Sequence, residues 1–172
     1  TARHVLMHAA PRAVVGGRVG EISVAHQADV SRFLNDWVVF RMDAASTPAR
    51  GLRYDPLSRI APGDVVYMAG YPVQGRLRDG FGKEALRELP LEIIPVRVAD
   101  LRLKGLESAD HFRDYLLLED PSESGRDYRG FSGGPVIVWD GDTGQWKAVG
   151  LLVTTASDGQ EQYILAIRPR IP

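Results

Sequence analysis

Gly130-Phe131-Ser132-Gly133-Gly134-Pro135 runs straight into Val136-Ile137-Val138-Trp139. Glycines on both sides of a serine, followed by a β-branched apolar run, predict a tight turn at the mouth of a buried strand. A serine so placed is a candidate nucleophile. Its hydroxyl is weak near neutral pH and needs a base beside it, with N–H donors for the oxyanion it creates. Asp140-Gly141-Asp142-Thr143-Gly144 then predicts a turn that closes a hairpin onto a strand starting near Lys147.

Outward from this hairpin, short β-branched runs alternate with Gly, Pro and Asp punctuation. The expected strands are Arg18–Ala25, Asp36–Met42, Asp64–Tyr71, Leu91–Leu103, Tyr115–Glu119, Pro135–Trp139, Lys147–Thr155 and Gln162–Ile167. Ala61-Pro62-Gly63-Asp64 is a further turn. Only Lys83–Leu89 has helical composition, and Val30–Leu34 has room for one helical turn. Many short strands at fairly regular spacing point to an all-β barrel or sandwich.

The chain has 172 residues, 44% of them apolar, enough for one domain or two small barrels. A formal charge of −1, with 21 basic and 22 acidic residues, gives no electrostatic footprint for nucleic acid or an anionic membrane. No apolar run approaches the roughly 18 residues that would suggest a membrane-spanning helix. There is no cysteine, so thiol nucleophiles, thiolate metal sites and disulfides are excluded. No cofactor or metal is expected. The lack of cysteine and of a signal-like start suits a cytoplasmic location.

A serine nucleophile calls for a histidine base and a carboxylate to orient it. The histidines are His4, His8, His26 and His111. Asp36 heads Asp36-Trp37-Val38-Val39-Phe40, an aspartate entering an apolar strand, where it would be buried and able to accept an imidazole N–H. Asp29, Asp43, Asp55 and Asp64 read as turn or capping residues.

Thr1-Ala2-Arg3-His4-Val5, then Asp36 before its strand, then Gly130-Phe131-Ser132-Gly133-Gly134-Pro135 resembles the trypsin-like serine peptidases of the chymotrypsin fold. The lack of cysteine and the short loops are closest to bacterial members such as the high-temperature-requirement proteases. The order His, Asp, Ser agrees, at separations of 32 and 96 residues. Ile60–Val66 resembles the strand linking the two barrels, and Gly70-Tyr71-Pro72 the segment after it. Val149–Thr155 resembles the strand that pairs with substrate, and Ala166-Ile167 the last strand. The resemblance implies two six-stranded antiparallel Greek-key barrels with the active site between them. Residues 1–55 would be the remainder of the first barrel, and 56–172 the linker strand and second barrel. It implies a peptide or protein substrate, with Ser132 attacking, His4 as base and Asp36 orienting His4. It places the oxyanion hole at the N–H groups of Gly130 and Ser132, and substrate pairing at Val153, Thr154 and Thr155. His8, His26 and His111 then read as surface or core residues.

Three departures qualify the resemblance. Several strands precede the histidine in that family, whereas His4 is the fourth residue here. The expectation is a first barrel lacking its N-terminal strands, completed by an upstream segment or chain. Phe131 stands where animal digestive enzymes use an aspartate to capture a new N-terminus. Val14-Val15-Gly16-Gly17, which resembles such an N-terminus, reads instead as a turn. Arg126 and Asp127 fall at the floor of the primary specificity pocket. A buried Arg126 would favour acidic side chains, an exposed Asp127 basic ones, and mutual pairing would leave the pocket neutral; the other reading is that both are surface-loop residues. The alternatives in function are a catalytically silent scaffold of the same fold, or an esterase using the same triad.

Overall fold

The computed structural model describes residues 12–15, 18–27, 36–42, 51–72, 90–100, 114–122, 126–157 and 162–170. Among these residues the chain is all-β, with no helix. Its strands are β1 (Arg12–Val15), β2 (Arg18–Gln27), β3 (Val38–Met42), β4 (Arg53–Tyr54), β5 (Val65–Gly70), β6 (Glu92–Val98), β7 (Tyr115–Glu119), β8 (Pro135–Asp140), β9 (Gln145–Ser157) and β10 (Gln162–Ile167). Lys83–Leu89 and Val30–Leu34, the two expected helical stretches, lie outside the described residues, as do His4, His8, His111, Asp29 and Asp43.

Six strands close a barrel: β5 pairs with β6, β6 with β7, β7 with β10, β10 with β9, β9 with β8, and β8 again with β5, all antiparallel. Closure leaves no unpaired edge strand in the barrel. β4 adds a two-residue parallel pairing to β9, at Lys147 and Ala148. Closure depends on bending the 13-residue β9. It carries a register shift against β8 near Val136/Ile137 and another against β10 near Leu165/Ala166, and such bulges increase local bend and twist.

Alternation decides what enters the barrel. Ile94, Val96 and Val98 of β6 are buried while Ile93, Pro95 and Arg97 are exposed. Val66 and Met68 of β5 point inward with them. Leu118, Val136, Val149, Leu152 and Ala166 complete a core with Tyr128 and Phe131. Pro95 is tolerated inside β6 because Val98 N donates to Asp64 O (2.9 Å), which puts the even positions in register with β5. Pro95 therefore faces the edge that β7 joins only at Arg97 and Val98.

The turns expected at Ala61–Asp64 and Asp140–Gly144 are present. Gly63 takes φ +92° behind Pro62, as a type II turn requires, and Asp64 Oδ2 accepts from Ala61 N at 2.8 Å. Asp55 caps its own turn by accepting from Leu57 N. The Asp140–Gly144 turn joins β8 to β9, with Asp142 N donating to Asp140 Oδ1. Lys147 Nζ reaches both Asp55 and Asp140 at 3.4 Å and ties β4 to this hairpin.

Towards the N-terminus, β1, β2 and β3 form a three-stranded antiparallel sheet. Val14 and Val15 belong to β1, not to a turn: Val15 pairs with Arg18, so only two residues join β1 to β2. Trp37, just ahead of β3, packs against the barrel cluster of Tyr115, Val153 and Ile167.

Candidate functional site

The serine loop is two consecutive turns. Phe131 N donates to Tyr128 O (3.1 Å) around Gly130, and Gly134 N donates to Phe131 O (2.8 Å) around Gly133. Gly130 and Gly133 occupy the third position of each turn, at φ +96° and +82°, where L side chains are strained. Ser132 therefore stands at the projecting corner of the second turn.

Both flanks of the loop are locked to the barrel. Tyr128 and Phe131 are buried in the core with their rings edge-to-face at 6.3 Å. Towards β9, Gly133 N donates to Leu152 O (2.8 Å) and Leu152 N to Gly134 O (2.9 Å). Towards β5, Tyr71 N donates to Gly130 O (3.1 Å). A Cβ on Gly70 would lie 2.6 Å from the Phe131 ring, and one on Gly134 would collide with the Ala69 carbonyl oxygen. Gly70 and Gly134 are thus the surfaces on which the end of β5 and the serine loop meet.

Ser132 Oγ donates to Val153 O at 3.4 Å. That exceeds the roughly 2.5–3.0 Å of a well-formed O–H···O bond, so the hydroxyl is held weakly. Val153 is the residue that β9 adds where Leu152 and Thr154 pair with Ala166 and Leu165. Pairing of β9 with β8 ends at Leu151, so beyond Leu152 that edge of β9 pairs with no strand among the described residues. Thr154 and Thr155 lie exposed along it. The N–H groups of Gly130 and Ser132 donate to no acceptor among the described residues.

Asp36 is half-buried and directly precedes Trp37, whose packing brings this segment against the cluster that contains Val153. His4 lies outside the described residues. Arg126 and Asp127 each have a partner other than one another. Arg126 lies 3.3 Å from Asp120 and 3.7 Å from Glu92, and Asp127 is bound bidentately by Arg129. Burial pushes the Asp120 carboxyl up, but hydrogen bonds from Ser122 and Tyr128 and the charge of Arg126 outweigh it and hold the group below its ordinary range. This cluster anchors the approach to the serine loop, since Tyr128 Oη donates to Asp120 (3.0 Å) while its ring sits in the core.

Ser132 also borders a groove of about 690 Å³, whose lining includes none of Val153, Thr154 and Thr155. Gly130 and Ser132–Pro135 form one wall, with Tyr71, Leu91, Ile93, Tyr67, Ile137, Trp146 and Leu52 around it. These side chains form no motif in the sequence, since they come together only through the pairing of β5, β6, β8 and β9. A weaker signal was there: Val65-Val66-Tyr67-Met68 and Ile93-Ile94 are apolar on both faces of their strands.

No family model matches the chain, and no curated protein matches it significantly.

Proposed function

We propose that the chain is a serine endopeptidase of the trypsin-like kind, acting through an acyl-enzyme at Ser132. In this mechanism Ser132 Oγ attacks the peptide carbonyl as His4 takes its proton. His4 then returns the proton to the leaving amine, and Asp36 holds the imidazole tautomer and stabilises the imidazolium. The N–H groups of Gly130 and Ser132 receive the oxyanion, an interaction typically worth roughly 3 kcal/mol per donor. Water, activated by His4, releases the acyl group.

The observation that carries this proposal is the set of groups around one weakly held hydroxyl. On one side stand two N–H groups with no acceptor among the described residues. On the other runs the open edge of β9 at Val153–Thr155, suited to an extended peptide added as a strand. A bulge beside a reactive residue is a recurrent means of aiming backbone groups. The neighbouring of β8, β5, β6 and β7 in that order supports a Greek-key reading of this barrel as the second of the two. The β1–β3 sheet and Asp36 would belong to the first barrel. Arg126 and Asp127, with Asp120, Glu92 and Arg129 as partners, would leave primary specificity to the rest of the pocket.

Hydrolysis of a peptide mixture by the chain and by Ser132→Ala tests the proposal. The expected result is a loss of at least about 1,000-fold in the variant. Equal hydrolysis by both proteins would overturn it, and hydrolysis of simple esters alone would assign the triad to an esterase.

A further inference from the structure

We infer that the groove beside Ser132 selects large apolar side chains on the leaving-group side of the scissile bond, an inference that rests on Ser132 being the nucleophile. Direction follows from topology. The open edge of β9 that would take the acyl half of a peptide runs from Val153 to Thr155, and none of these residues lines the groove. The groove is bordered by Gly130 and Ser132 and passes Tyr71, which is tied to the loop by Tyr71 N donating to Gly130 O. A peptide paired to β9 and crossing Ser132 continues into it. Its volume of about 690 Å³ falls within the roughly 300–1,000 Å³ of small-ligand pockets, room for more than one large side chain.

The chemistry of the walls sets the selection. None of the described residues lining the groove carries a charge. Tyr71 just after β5, Leu91 just before β6 and Ile93 in β6 are each about half exposed (53%, 53% and 54%), beside strands whose inward residues already fill the core. An apolar side chain docked there removes their surface and its own from water. A charged side chain would lose hydration and meet no partner.

Mass-spectrometric profiling of cut sites in a degenerate peptide library measures this, alongside fluorophosphonate labelling, which needs the nucleophile but not the groove. The expected result is enrichment of Leu, Ile, Phe, Tyr and Trp over Asp and Lys by about 10- to 100-fold at the first two positions after the cut. Ile93→Asp, on an exposed position, should abolish that enrichment, and Tyr71→Ser should weaken it. Labelled Ser132 with cut sites indifferent to the leaving-group side would overturn the inference and leave the nucleophile standing. Absence of both label and cleavage would overturn the two together. A dimer in sedimentation that Ile93→Asp converts to monomer would assign the groove to a second copy of the chain and also overturn it.

Discussion

Ser132 Oγ lies 3.4 Å from the carbonyl oxygen of Val153, the residue β9 adds opposite Leu165 and Ala166. The bulge and the serine turn are coupled, because Leu152 exchanges hydrogen bonds with Gly133 and Gly134 immediately beside it. The serine corner is therefore positioned by the barrel wall and not by the loop alone.

That coupling makes Gly134 a sensitive position. Gly134→Ala puts a methyl group into the Ala69 carbonyl and should cost at least about 1–3 kcal/mol, with loss of turnover. Gly141→Ala meets nothing within 4 Å and should stay within about 0.5 kcal/mol of the parent chain. Urea unfolding of the two variants measures the difference.

The barrel core should respond in the ordinary way to a cavity. Leu118 is fully buried between β6 and β10, and Leu118→Ala should cost about 2–5 kcal/mol. A thermal melt, read with a peptide assay well below the transition, should show lower stability with turnover largely retained.

Much of this was legible from local pattern. β7 and β10 match their expected bounds residue for residue, because short apolar runs flanked by turn residues leave little freedom. The turns at Pro62-Gly63 and Asp140–Gly144 were likewise legible from their chemistry. β4 was not, since Arg53-Tyr54 has no strand pattern and pairs only because β9 offers a partner. The Val153 bulge depends on the register between β9 and β10, which no local window contains. The Ser132 turn was legible as a motif, whereas the groove beside it arises from the outward faces of strands far apart in sequence.

Trp37 should matter to chemistry more than to stability. It seats the segment bearing Asp36 on the cluster of Tyr115, Val153 and Ile167. Trp37→Ala should lower kcat by about 10- to 100-fold with little change in KM, through a misplaced carboxylate. Trp37→Phe should recover part of the loss in the same steady-state assay.

Two pH limits follow from named groups. Asp120 is held below the ordinary carboxylate range, so the unfolded chain binds its proton more tightly. Its contribution is present above about pH 4 and is lost as pH falls through the folded value. Tyr54 is pushed up to about 12 by burial, with its hydroxyl donating to Pro169 O at 2.8 Å. The unfolded chain ionises this group near about pH 10, so stability falls from there towards about pH 12. Urea midpoints across pH should show a shallower acid limb in Asp120→Asn and a shallower alkaline limb in Tyr54→Phe.

The most direct measurement of the central claim is fluorophosphonate labelling of the chain, with the adduct located by peptide mass spectrometry. The expected result is a single adduct on Ser132, lost in His4→Ala and strongly slowed in Asp36→Asn. A folded chain that takes up no label at Ser132, or takes it up equally without His4, would contradict the claim.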